Sequence, residues 1–246
     1  MLLACQKDDN GIPKGECAPA PAPAGSYLYP VTPGSSAWAA LTTGDAKMAA
    51  CQIPNTVLTN MSTDVLIQAW LDFPLRLDVL LSNYLQTGID FFLKNFSALV
   101  ELQKRTDMED VASARYKLMK PTCASSYGEN QKGDFALSFF YLELIMAQDT
   151  FLNNSTSPVR KAIVKEALFK YIDKKANNTV FGDQPSITTT MLLCARAMKS
   201  DNYQPFIDLM NNSNTIKLLV KTGYPEAPVT HPDLLLLIEK ASTYIK

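Results

Sequence analysis

Residues 134–151 read DFALSFFYLELIMAQDTF, and this stretch decides the fold. At helical spacing successive side chains are about 100° apart, so Phe139, Phe140, Leu142, Leu144 and Ile145 cannot share one face. A helix at the edge of a protein keeps a polar side. One that is apolar nearly all round is predicted to be central, with other helices on every side. Asp134, Glu143 and Asp149 argue against reading the same stretch as a membrane span.

Outward from this helix the pattern stays helical. Ser157 followed by Pro158 reads as an N-cap with proline at the first helical position. The helix it opens puts Val159, Ile163, Val164, Ala167, Leu168 and Ile172 on one stripe. Arg160, Lys161, Lys165, Glu166, Lys170 and Lys174 form the opposite, solvated face, with Glu166 and Lys170 ordered as an i,i+4 pair. Thr106 to Glu109 reads as a capping box, followed by Val111, Ala112, Tyr116 and Leu118 and stopped by Pro121. The same logic predicts helices near 63–73, 75–85, 88–105, 187–199, 205–211, 214–222 and 232–245, with Gly223 as a C-terminal stop. No alternating β-branched runs separated by Asn-Gly or Asp-Gly turns occur. The expected fold is all-α: an irregular antiparallel helical array over 35–246, alpha-solenoid-like in its successive helix pairs.

The N-terminus points to a location. Leu2-Leu3-Ala4-Cys5 resembles a bacterial lipobox, and Gln6-Lys7-Asp8-Asp9 resembles the acidic export signal of Bacteroidota surface lipoproteins. The resemblance implies lipidation at Cys5, export directed by Gln6, Lys7, Asp8 and Asp9, and a lipid-anchored, surface-exposed protein of the outer membrane. Residues 11 to about 35 are rich in proline, alanine and glycine, so 1–34 read as a signal remnant and semi-rigid tether. Tyr27, Leu28 and Tyr29 are the part of it able to pack on the domain.

A second resemblance covers about residues 38–120. ACQIP (Ala50 to Pro54), MST (Met61 to Thr63), LDFP (Leu71 to Pro74), Thr87-Gly88 with Asp90, and NFSALVEL (Asn95 to Leu102) with Arg105 and Asp107 are similar to a helical family of secreted and surface proteins of gut bacteria. That family carries no assigned chemistry. Physically, Pro54 starts a short helix, Ser62 or Thr63 caps the next, Pro74 breaks one helix and begins another, and Gly88 allows a tight junction.

Composition narrows the function classes. Basic and acidic residues number 23 and 24, which gives no electrostatic case for nucleic acid. The single histidine, His231, precedes Pro232 behind a Thr230 cap and has no cluster to act with. After Cys5, four cysteines remain: Cys17, Cys51, Cys123 and Cys194. They allow one or two disulfides with three full pairings, while Cys51 and Cys194 also suit buried thiols. No Cys-x-x-Cys spacing points to zinc or redox chemistry. Asp64, Asp72, Asp78 and Asp90 are the carboxylates that glycoside hydrolysis would use, but each has a simpler helix-end or surface role. The expectation is a surface lipoprotein with a non-enzymatic helical binding or scaffolding domain. Its partners are the membrane through Cys5 and a protein or glycan; no catalytic residue, cofactor or metal is expected. The alternative is an envelope hydrolase built on carboxylates.

Overall fold

The computed structural model describes Asp8 and residues 11–246. Short helices at Ser36–Ala39, Gly44–Ala50 and Asn55–Leu58 lead into the ten helices that build the body. These are α1 (Thr63–Leu71), α2 (Leu85–Asn95), α3 (Ser97–Leu102), α4 (Met108–Leu118), α5 (Glu129–Met146), α6 (Ser157–Ala176), α7 (Thr188–Ser200), α8 (Gln204–Asn212), α9 (Asn214–Thr222) and α10 (Pro232–Tyr244). The fold is an all-α array with no strand among the described residues.

Two helices are central. In α5 every side chain from Phe139 to Met146 is buried, and Phe139, Phe140, Leu142, Leu144 and Ile145 are wholly so. The helix begins five residues earlier than the apolar pattern suggests and stops at Met146; Asp149–Leu152 is a separate turn. In α7 every residue from Thr188 to Met198 is buried, because α5, α6, α8, α9 and α10 all pack on it. The array therefore closes around α7. A second apolar centre lies in the first half, where Trp70 is buried among Phe73, Phe92 and Tyr141 and donates its indole N–H to the Tyr141 carbonyl at 3.0 Å.

Local signals explain many boundaries. Ser62 caps α1 by accepting the Val65 amide, and Ser213 caps α9 by accepting the Ile216 amide. Gly223 ends α9 at φ +83°, where a side chain would be strained. Gly88 is the predicted tight junction: a Cβ there would stand 2.5 Å from the Val79 carbonyl oxygen.

Several expectations are corrected. The predicted helix over 75–85 is a 3₁₀ segment at Arg76–Leu81, and 88–105 divides into α2 and α3 at Phe96. The capping box does not form. Asp107 occupies the N-cap of α4 without capping its amides, its Oδ1 accepting the Thr63 hydroxyl at 2.7 Å instead, and Glu109 is buried rather than reaching back. Thr156 takes the N-cap of α6, which frees the Ser157 hydroxyl to donate to Asp201 at 2.5 Å. His231, not Thr230, caps α10: its Nδ1 accepts the Asp233 amide at 3.3 Å. Ile172 lies exposed, whereas Lys170 and Lys174 of the supposed solvated face are buried. The Glu166–Lys170 pair forms at 2.5 Å.

The segment read as a semi-rigid tether is fastened to the body, at Tyr27 and Tyr29 as expected of the residues able to pack, and beyond expectation as far back as Gly11, while Leu28 stays exposed. Cys17 forms a disulfide with Cys123, the Gly128 amide donates to the Gly11 carbonyl at 2.8 Å, and the Tyr29 hydroxyl donates to the Ala69 carbonyl at 2.7 Å. A proline-rich chain has few backbone donors for structure of its own, but a covalent staple and three backbone acceptors or donors suffice to lay it on the helices. Cys51 and Cys194 are buried free thiols; burial pushes the Cys51 thiol up to about 11 and that of Cys194 further.

Candidate functional site

Two charged clusters stand out, one sealed and one open. The sealed cluster is built on Glu143 of α5 and Lys174 of α6, both wholly buried and 2.7 Å apart. Glu143 also accepts the hydroxyls of Tyr116 (2.5 Å), Thr189 (2.9 Å) and Thr190 (3.0 Å). The Lys174 ammonium donates further to the Ser186 carbonyl at 3.2 Å and lies 5.1 Å from the centre of the Phe139 ring. Burial pulls the Lys174 pKa down while Glu143 opposes it, and burial together with Glu143 pushes the Tyr116 phenol well up. Neither Glu143 nor Lys174 lines the open cleft described below. The arrangement resembles an acid–base site in composition only. With its lone pairs and protons taken up by neighbours, it ties α4, α5, α6 and α7 together.

The open cluster is a cleft of about 780 Å³ between α2, α7, α8 and α9, with the α5 end at its base. Leu93, Met210 and Val220 give it an apolar patch. Around them stand Lys94, Arg196, Lys199, Lys217 and Lys221, against the carboxylates of Asp90 and Asp149. Arg196 lies beneath the surface, 5% exposed, and no carboxylate pairs with it among the described residues. Its Nε and Nη2 donate to the Val220 carbonyl at 3.1 and 2.7 Å, and its Nη1 donates to the Ala147 carbonyl at 3.2 Å. Both carbonyls lie at helix C-terminal ends, where the backbone acceptors are free and the helix dipole is negative. Arg196 thus binds the ends of α5 and α9 into a rigid floor. Burial lowers its pKa, with Asp149 and Asp90 acting in the other direction.

The wall is held by an amide relay. Gln148 donates to the Leu144 carbonyl and accepts from Gln86 at 2.9 Å, and Gln86 also donates to Asp90 at 2.7 Å. Asp149 faces Lys199 at 3.3 Å, and Lys217 donates to the Asn211 carbonyl at 2.7 Å. Lys94 and Lys221 have no ion-pair or hydrogen-bond partner among the described residues. The cleft holds no histidine, cysteine, serine or tyrosine. Thr150 is its one hydroxyl, next in sequence to Asp149, and its excess of cations can bind and orient negative charge.

The carboxylates named from the sequence do not converge. Asp64 faces Arg115 at 3.4 Å, Asp72 accepts from Gln68 at 2.7 Å, Asp78 sits in the 3₁₀ segment, and only Asp90 reaches the cleft. Among the described residues no group of histidine, cysteine, aspartate and glutamate could hold a metal, and no helix is long and apolar enough to cross a membrane. Cys5, Gln6, Lys7 and Asp9 lie outside the described residues; Asp8 is described, and its carboxylate accepts the Ile12 amide at 2.8 Å. Sequence reasoning missed Arg196, Lys199, Lys217 and Lys221. Their positions on α7 and α9 meet only through tertiary packing, although Lys217 and Lys221 share an i,i+4 face that marks one cationic edge. Compared with protein-family models, curated proteins and solved structures, the chain finds no match.

Proposed function

We propose that this chain is a non-enzymatic binding protein, displayed on the outer membrane by a lipid at Cys5, whose cleft takes up a partner through carboxylate or sulfate groups. The observation that carries the binding reading is the charge balance of the cleft: five cationic side chains surround an apolar patch with two carboxylates. Solvated lysines with no partner keep their charge available. A rigid arginine floor avoids the ordering cost that weakens flexible sites. The anchoring part rests on the Leu2–Cys5 and Gln6–Asp9 sequence pattern.

The test is calorimetric titration of the purified helical protein with polygalacturonate, a polymer of carboxylated sugars, and with neutral dextran as control. Binding of the polyanion alone, weakened by salt and lost in a Lys94→Gln/Lys217→Gln/Lys221→Gln variant that melts normally, supports the reading. Equal affinity for both polymers, or no loss in the variant, refutes the cleft. Shortening of the polymer with time refutes the non-enzymatic part and returns the hydrolase alternative.

A further inference from the structure

The arm that precedes the helices determines how far the body stands from its anchor. Near its start the chain turns back on itself, the Asp8 amide donating to the Ile12 carbonyl at 2.8 Å. The Gly11 carbonyl accepts the Gly128 amide at 2.8 Å, at the N-cap of α5. Gly11 has φ +79°, and a Cβ on it would come within 3.1 Å of the Gly128 Cα, so only glycine fits this back-to-back contact. Glu16 pairs with Lys120 at 2.6 Å, and the next residue, Cys17, is bonded to Cys123. The arm is thus fixed to one face of the body from Gly11 onward.

Resting on the lipid anchor at Cys5 proposed above, we infer that this arm is a strap that seats the face around Gly128 and Cys123 against phospholipid headgroups. Roughly six residues join Cys5 to Gly11, and a chain of that length reaches at most about 20 Å even if fully extended. If the arm were loose as far as Tyr29, roughly 24 residues would allow about 80 Å. The face is compatible with a headgroup layer: Glu16 is matched by Lys120, and Glu129 by Lys132 at 2.5 Å, so it offers little net charge for anionic lipid to repel. The body is then held flush to the bilayer in one orientation.

The experiment measures height. Lipidated protein carrying Asn130→Cys is labelled with a donor fluorophore and reconstituted into phosphatidylethanolamine–phosphatidylglycerol vesicles containing an acceptor lipid. Cys51 and Cys194 are buried, so the new thiol on exposed Asn130 takes the label. Strong energy transfer is expected, falling several-fold when a flexible Gly-Ser segment of about twenty residues is inserted after Asn10. It is also expected to fall in Cys17→Ser/Cys123→Ser, while circular dichroism of the insertion protein is unchanged. Transfer that is weak from the start, or indifferent to the insertion, overturns the strap. Flotation of Cys5→Ala with the same vesicles tests the anchor separately: its continued flotation overturns the anchoring reading and the strap with it, whereas its release leaves the transfer data to decide the strap alone.

Discussion

The sealed cluster at Glu143 and the open cleft at Arg196 are built on the same two helices, α5 and α7. Thr190 and Arg196 are about 9 Å apart along α7 at the ordinary helical rise. Where the core closes over α7, charge is matched: one carboxylate, one ammonium, and hydroxyls to fill the remaining lone pairs. Where the array opens, cations outnumber carboxylates and two lysines have no partner among the described residues. A low-dielectric interior tolerates only compensated charge, whereas water tolerates an excess. Arg196 is held by the helix ends it joins, but the unpaired lysines around it are not required by the fold, and that is why they are the better candidates for function.

The largest effect should come from breaking the sealed side. Lys174→Met leaves Glu143 buried without its counter-ion and should cost about 3–5 kcal/mol in chemical denaturation. Adding Glu143→Leu removes the stranded charge and should recover part of that loss; a double variant less stable than Lys174→Met would contradict the ion-pair account. Phe139→Ala and Phe140→Ala should each cost about 3–5 kcal/mol as well, with no change in assembly state by light scattering. Phe139 should be the more costly of the two, because its ring also contacts Phe135, Phe181 and the Lys174 ammonium.

An intermediate effect belongs to Glu109, a buried carboxyl whose oxygens lack hydrogen-bond partners. Burial raises its pKa well above the usual range; Asp110 adds to the rise and Arg160 opposes it. With the folded pKa above the unfolded one, the native state holds the proton longer, so stability is full in acid and falls as pH rises through that window. The slope is about 1.4 kcal/mol per pH unit where only the unfolded form has ionised. Thermal unfolding between pH 4 and 8 should show this fall in the wild type and a flatter profile in Glu109→Gln. Parallel profiles would mean that Glu109 is compensated after all.

These contrasts also show what a sequence makes legible. The central position of α5 was readable because an all-round apolar helix has no other place to go, and the αL glycine at 223 announced the end of α9. Burial of Lys170 and Lys174 was not readable. A lysine looks the same whether it faces water or a carboxylate, and Glu143 lies 31 residues away from Lys174 in the chain. The disulfide was one of several open pairings, and its choice of Cys123 brings together residues separated by 106 positions. The cleft was the least legible part, since its cations come from three helices and no short motif joins them. Periodicity reports burial of single helices; it does not report which exposed faces end up opposite one another.

The smallest expected change in stability lies in the open cleft, and there the comparison is sharpest. Lys94 and Lys221 touch no acceptor among the described residues, so Lys94→Gln and Lys221→Gln should each shift stability by less than about 0.5 kcal/mol. Lys199→Gln releases Asp149 from a 3.3 Å pair in which both side chains are well exposed, worth about 0–1 kcal/mol. If excess charge is what the cleft offers a partner, the ranking reverses for binding. Lys94→Gln and Lys221→Gln should weaken polygalacturonate binding more than Lys199→Gln does, because Lys199 has already given part of its field to Asp149. Titrations at low and at physiological ionic strength would check this, since screening shrinks the differences among solvent-exposed charges. Equal losses from all three lysines would show that the site responds to total charge alone, and that the pairing of Lys199 with Asp149 does not tune it.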